Sequence, residues 1–221
     1  MNLTLFDLDH TLLPIDSDYE WGRFLARVGA VDPAHQQREN DRFYRDYQSG
    51  TLDIQAFLAF QLAPLGAHPP EQLHRWHAQF MDEVIVPALR PSAHALVERH
   101  RADGDLCAII TATNEFVTGP IARRFGIEHL IATRVERDGE RYTGRPTGTP
   151  SFREGKIARL HEWLATRGTT LADFPRSTFY SDSANDVALL ERVTDPVATN
   201  PDARLAAVAH ERGWRTLDLF P

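Results

Sequence analysis

Two aspartates, Asp7 and Asp9, stand one residue apart where a short apolar run, Leu3, Leu5 and Phe6, comes to an end. The run reads as a buried strand over residues 2–8. Alternate residues of an extended chain share a face, so the two carboxylates point the same way and repel. A buried strand that delivers such a pair needs something to offset the repulsion: a divalent cation, a lysine, or a shared proton.

The 221 residues suffice for one sizeable core, or a core plus a small second domain. After the first strand, residues 15–89 read as about four helices rich in aromatics, broken at Gly29, Gly50 and the Gly66–Pro70 stretch. Ser17 with Glu20 three residues on has the form of a capping box. No strand follows these helices, so residues 15–89 are expected to form a separate helical domain inserted into a core of residues 1–14 and 90–221. From Pro91 the pattern alternates. A helix to Arg101 precedes a strand over Leu106–Ile110, a helix over Asn114–Phe125 and a short strand over Ile127–Thr133. Residues 134–149 carry an Asp-Gly turn signal. A helix over Arg153–Arg167, a strand over Thr178–Ser181, a helix over Ala184–Arg192, a strand over Pro196–Thr199 and a helix from Pro201 to Glu211 follow, and Trp214–Leu217 closes the chain. Such alternation predicts an α/β fold: a parallel sheet covered by helices on both faces, with ligands bound beyond the C-terminal strand ends.

Those strand ends carry the chemistry. The first gives Asp7, Asp9 and Thr11; the second gives Thr111, Ala112 and Thr113; a third gives Asp182, Asn185 and Asp186; Lys156 lies near the start of a helix. Carboxylates from two strand ends make a hard-oxygen site suited to Mg²⁺, and hydroxyl and backbone N–H groups at a helix N-terminus suit phosphate oxygens.

With these four signatures in order, the chain resembles the haloacid dehalogenase superfamily of phosphatases, and the helical insertion resembles the cap of its phosphoserine-phosphatase-like branch, subfamily IB. The resemblance implies a Rossmann-like three-layer core with an all-helical cap. It implies that Asp7 is the nucleophile forming an aspartyl-phosphate, and that Asp9 protonates the leaving group and later activates water. It further implies that Thr111, with the N–H of Ala112, and Lys156 hold the phosphoryl group. Thr11 and Asn185 would border the substrate. Asp7, Asp9 (through its carbonyl), Asp182 and Asp186 would hold Mg²⁺, the last through a water. The expected substrate is a small phosphorylated metabolite. A phosphotransferase that passes the group to an alcohol is the near alternative, and a phosphoaspartate signalling receiver the distant one, although a receiver has no helical cap after its first strand.

Some positions depart from the family pattern. Aligning Ser49-Gly50-Thr51-Leu52-Asp53 with the cap turn puts Gln61 where phosphoserine phosphatases place an arginine for the substrate carboxylate, which argues against phosphoserine; Asp16 or Glu20 would stand for the cap acid. Ser181 and Ser183 replace glycines, and Thr111-Ala112-Thr113 replaces a Ser-Gly-Gly run. Plainer readings apply elsewhere: Cys107 as a small buried hydrophobe, His74 and His77 as a surface pair, the cap aromatics mostly as core with one or two facing the active site. The net charge of −7 argues against nucleic acid as a partner. The lack of a long apolar stretch, of a lysine run and of a leader pattern argues against a membrane or secretion. One cysteine permits no intrachain disulfide, as expected of a cytoplasmic protein.

Overall fold

The computed structural model describes residues 1–220. Its sheet has seven strands in the order β4-β3-β2-β1-β5-β6-β7. The strands are β1 (Leu3–Phe6), β2 (Leu106–Asn114), β3 (His129–Asp138), β4 (Arg141–Thr147), β5 (Ser177–Ser181), β6 (Asp195–Thr199) and β7 (Arg215–Leu217). All neighbours run parallel except β4, which pairs antiparallel with β3 across the turn at Gly139. The short strand expected over Ile127–Thr133 thus extends into a hairpin arm.

Helices cover both faces: α6 (Pro91–Ala102), α7 (Glu115–Arg124), α8 (Glu154–Ala165), α9 (Val187–Leu190) and α10 (Ala203–Arg212) belong to the sheet layers. The alternation of strand side chains is clean. Leu3, Leu5, Ala108, Ile110 and Phe179 enter one apolar cluster with Leu160 and Leu164 of α8. Phe6, Cys107, Ile109 and Tyr180 enter the other. Asp7 continues the parity of Leu3 and Leu5, so it emerges on the face that α8 covers. Lys156 stands one and two turns before Leu160 and Leu164 on the same stripe of α8, which aims it at Asp7.

The inserted segment forms α1 (Ser17–Arg27), α2 (Pro33–Ser49), α3 (Ile54–Ala67) and α4 (Pro70–Phe80), then a π-helical turn over Met81–Ile85 and a last short helix, α5 (Val86–Ala88). Its buried Trp21, Phe24, Leu73 and Phe80 join the same apolar cluster as Phe6 and Ile109. Helix α3 crosses the β3–β4 hairpin at very close range: a Cβ on Gly66 would lie 2.7 Å from the Thr143 carbonyl oxygen. Gly66 therefore serves a close crossing inside α3 and does not break it.

Several local expectations are corrected. Asp16, not Ser17, caps α1, accepting from the N–H groups of Asp18 and Tyr19. Asn114, expected inside the helix over Asn114–Phe125, is instead the cap of α7, accepting from Val117 N–H. Residues 184–192 form a 3₁₀ turn (Ala184–Asp186) followed by the short α9, because Ser183 caps Asn185 while the Asp186 side chain is tied to Lys156 and Ser181. Helix α10 starts at Ala203, behind the cap Asp202, and not at Pro201.

His77 is not a surface residue. It is buried against Trp21, Phe80 and Phe116, and its Nε2 donates to the Val117 carbonyl at 2.9 Å. Burial pushes its imidazole down to about 4, although the Val117 bond pulls the other way. Between the ordinary value of 6.5 and about 4 the unfolded chain holds a proton that the folded chain refuses. This part of the stability is therefore complete above pH 6.5 and lost as pH falls through that window. Urea unfolding at about pH 7 and pH 5 checks this. The wild type is expected to lose roughly 2 kcal/mol more on acidification than His77→Gln, which keeps a donor for Val117. Equal losses would contradict it.

Candidate active site

The ends of β1 and β5 and the first turn of α8 meet at one point. Lys156 Nζ lies 2.7 Å from Asp7 Oδ1 and 2.7 Å from Asp186 Oδ2. Asp186 Oδ2 also accepts from Ser181 Oγ at 2.7 Å, so the serine that replaces a glycine has a task. Thr11 Oγ1 donates to Asp182 Oδ1 at 3.1 Å and lies 3.5 Å from Asp7 Oδ2. Thr11 is fully buried and does not line the cavity above the site; it links two carboxylates where substrate contact was expected of it.

Two buried carboxylates share one ammonium here, with a third, Asp182, close by. Burial pushes Asp7 up to about 7, with Asp186 adding to the rise and Lys156 opposing it. Asp182 stands well above the usual carboxylate range, through burial and then the charges of Asp7 and Asp186. Burial pulls Lys156 down, but Asp186 and Asp7 outweigh it and hold the ammonium above its ordinary value.

Asp9 occupies a different setting. Its Oδ1 accepts from Ser17 N–H at 2.7 Å and its Oδ2 from Thr113 Oγ1 at 2.8 Å. The carboxylate is thereby fixed in orientation by the start of α1 and the end of β2. Burial, then Asp16, pushes it up to about 6, against the bonds from Ser17 and Thr113.

Above these groups lies a cavity of about 70 Å³. Asp7, Asp9, Thr111, Ala112, Lys156, Asn185 and Asp186 line its floor. Thr111 Oγ1 accepts from Thr113 N–H at 3.2 Å, and Asn185 Oδ1 accepts from Arg153 Nε at 3.2 Å. Asp182 opens onto an adjoining groove with Tyr47 and Asn200. The inserted helices roof the cavity with Phe43, Tyr47, Phe57 and Gln61. Arg153 Nη2 donates to the Gly50 carbonyl at 2.5 Å, tying the turn after α2 to the start of α8. Arg145 is exposed on β4 and lies off the cavity.

Asp18, read from sequence as a first-turn charge, and Tyr47, one of the cap aromatics of which one or two were expected to face the site, both line the cavity. Asp18 is 3 % exposed and lines the cavity, whereas Glu20 pairs with Arg23 at 3.0 Å on the outer side of α1. Tyr47 faces the carboxylates: burial and then the charges of Asp182, Asp186 and Asp7 raise its phenol. The helical period carries both, since Asp18 lies three and four residues before the buried Trp21 and Gly22, and Tyr47 four after Phe43.

The carboxylates fit a hard divalent cation. Asp182 has only the Thr11 hydroxyl for company, and Lys156 neutralises one charge of the three. Among the described residues no group of three His, Cys, Asp or Glu side chains is placed to hold a metal ion by itself; Mg²⁺ is commonly held through one or two carboxylates together with waters and substrate phosphate.

A buried carboxylate beside a lysine, with a second carboxylate two residues on, is an arrangement that suits phosphoryl transfer. A family model for haloacid dehalogenase-like hydrolases matches residues 4–191, and the chain belongs to that family. It is 49% identical over 218 residues to a histidinol-phosphatase of Neisseria meningitidis serogroup C (strain 8013), covering 98% of each chain. It is 31% identical to the phosphoserine phosphatase SerB1 of Mycobacterium tuberculosis (strain ATCC 25618 / H37Rv) over 96% of this chain and 69% of that one. A crystal structure of a protein of unknown function from Bordetella pertussis Tohama I superposes with a TM-score of 0.94 at 56% identity, over 99% of this chain and 98% of that one. A substrate-bound phosphoserine phosphatase superposes with a TM-score of 0.69 at 17% identity over 98% and 92%, a likeness of fold. The chain is thus an enzyme of the phosphatase kind within this family. No described helix is long and apolar enough to cross a membrane.

Proposed function

We propose that this enzyme is a Mg²⁺-dependent phosphomonoesterase working through an aspartyl-phosphate on Asp7. The observation that carries the reading is the buried group of Asp7, Lys156 and Asp186, in which one ammonium bridges two carboxylates at 2.7 Å each. Residues 15–89 act as the cap and the remainder as the catalytic core.

Asp7 Oδ2 attacks phosphorus, and the bond from phosphorus to the ester oxygen breaks. Asp9 gives its proton to the departing alkoxide, for which a carboxyl near 6 is well matched at neutral pH. Asp9 then takes a proton from water, the water oxygen attacks phosphorus, and Asp7 is released with inorganic phosphate. Lys156, the Thr111 hydroxyl and the Ala112 N–H neutralise and hold the phosphoryl oxygens. Asp7, the Asp9 carbonyl and Asp182 would hold Mg²⁺, with Asp186 in support; when bound, it supplies charge neutralisation at the phosphoryl group.

No arginine lines the cavity among the described residues, so a carboxylate-bearing ester such as phosphoserine lacks its partner. The Neisseria relative's name makes histidinol phosphate the first ester to assay. A panel of phosphate esters with Mg²⁺ or chelator is the test: chelator is expected to abolish turnover, and histidinol phosphate to exceed phosphoserine. Independently of activity, Mg²⁺ at about 100 times its Kd is expected to add roughly 2.7 kcal/mol of stability, a rise of about 5–10 °C in Tm. Turnover that survives chelator, with no thermal shift, would sink the metal-dependent reading.

A further inference from the structure

We infer that Arg153 is a positioning residue for phosphoryl transfer: its guanidinium fixes the side-chain amide of Asn185 with the NH₂ end toward the phosphoryl group, and anchors that arrangement to the cap through the Gly50 carbonyl. The inference rests on the phosphomonoesterase reading and adds to it a residue that acts through Asn185.

The backbone gives the first sign. Phe152-Arg153-Glu154-Gly155 forms a turn closed by the Gly155 N–H on the Phe152 carbonyl at 2.9 Å. Arg153, at φ 51° and ψ −124°, stands at the first central position of a II′ turn, where glycine is favoured because a Cβ is crowded. The glycine of this turn stands elsewhere: a Cβ on Gly155 would lie 2.1 Å from the Pro150 carbonyl oxygen. A side chain persists in such a conformation only where its surroundings over-determine it.

Those surroundings span three elements. Nε donates to Asn185 Oδ1 at 3.2 Å, beyond β5, and Nη2 donates to the Gly50 carbonyl, beyond α2. The guanidinium carbon lies 4.9 Å from the centre of the Phe152 ring, and Phe152 packs in one apolar cluster with Phe43 and Leu52 of the cap. Holding the cap would need only the bond to Gly50. The bond to Asn185 has a chemical consequence. Arginine offers only donors, so the amide presents its oxygen to Nε and turns its nitrogen away. Nδ2 gives one proton to Ser183 Oγ at 3.3 Å, and its second proton is left for the cavity that Asn185 lines. The last torsion of an asparagine is broad and roughly two-fold. The flipped setting would aim a carbonyl oxygen at the phosphoryl oxygens, which it repels. A phosphoryl group needs donors around it, and Arg153 selects the setting that supplies one.

The test is a double-mutant cycle on the full chain with Mg²⁺ and p-nitrophenyl phosphate, joining Arg153→Gly to Asn185→Ala. Arg153→Gly is expected to lower kcat/KM by about 10-fold or more, the range for a hydrogen bond to a charged group, while its Tm holds or rises because glycine relieves the turn. Asn185→Ala is expected to lose as much, and the double variant no more than the worse single one, since the arginine acts through the amide. Arg153→Lys keeps the charge but not the fork that reaches two acceptors, so it should recover little. Losses that multiply in the double variant overturn the inference, and so does an Arg153→Gly or Arg153→Lys enzyme within about 3-fold of wild type. If Arg153→Gly loses stability along with activity, the cycle is read with Arg153→Lys and the same outcomes decide. An active wild type whose variants fail in these ways sinks only this inference, whereas a wild type without Mg²⁺-dependent turnover of any ester sinks the phosphomonoesterase reading itself.

Discussion

Asp7→Asn is expected to lower kcat by at least ~10⁴-fold while leaving the metal-free protein as stable as the wild type or more so. The loss follows from removing the attacking oxygen, the one group no neighbour replaces. The stability follows from the electrostatics. Burial and Asp186 push Asp7 up to about 7, so its charge is unwelcome in the fold without a cation. A carboxyl raised in this way costs stability as pH climbs from its ordinary 3.8 toward about 7, because the unfolded chain sheds the proton first. An amide of the same shape still accepts from Lys156 and carries no charge against Asp182. Turnover with Mg²⁺ and urea unfolding in chelator at neutral pH measure the two effects, which should run in opposite directions. A variant that is inactive and also less stable would mean that the lesion lies in folding.

Lys156→Met is expected to damage both properties. The ammonium is the only cation within salt-bridge distance of either Asp7 or Asp186 among the described residues. Removing one partner of a buried ion cluster leaves uncompensated charge, at a cost of about 3–5 kcal/mol. The remaining carboxylates answer by holding protons, and a protonated Asp7 does not attack phosphorus. Loss of the cation beside the phosphoryl oxygens takes a further ~10²–10³ from kcat. Lys156→Arg should rescue poorly, since a planar fork does not fit the site of a compact ammonium 2.7 Å from two separate oxygens. Urea unfolding and turnover of p-nitrophenyl phosphate read the two losses; a Lys156→Met protein within about 1 kcal/mol of wild type would show the pairings to be incidental.

The floor of the site was readable from one chain because the parallel sheet converts strand order into position. Asp7 and Asp182 directly follow the ends of β1 and β5, Thr111 follows Ile110 where the register of β2 shifts although the strand itself runs on to Asn114, and Leu3, Leu5 and Asp7 share a parity that needs no long-range knowledge. Lys156 was harder, since only its stripe with Leu160 and Leu164 aims it inward. The roof was much less legible. Whether Asp16, Asp18 or Glu20 faces the cavity depends on the rotation of α1, set by the packing of Trp21 and Phe24 against Phe80 and Phe116. Local propensity says only that all three acids suit a helix start. His77 misled for the same reason: a polar residue on an amphipathic helix reads as solvated until the helix opposite supplies a carbonyl, here that of Val117. The hairpin arm at Arg141–Thr147 was weakly patterned because α3 holds it from outside, through the crossing at Gly66.

Asp9 sets up the most direct test of the central claim. Its two oxygens are held by Ser17 and Thr113, away from the Asp7–Lys156 pair, so Asp9→Asn should still allow phosphoryl transfer from an ester with a good leaving group but stall release. Acid-quenching Asp9→Asn with p-nitrophenyl phosphate and Mg²⁺, followed by peptide mass mapping, is expected to find a phosphoryl group on the peptide that holds residue 7, and none in the Asp7→Asn, Asp9→Asn double variant. Release of p-nitrophenol without any labelled peptide, or a label carried elsewhere, would contradict a covalent Asp7 route.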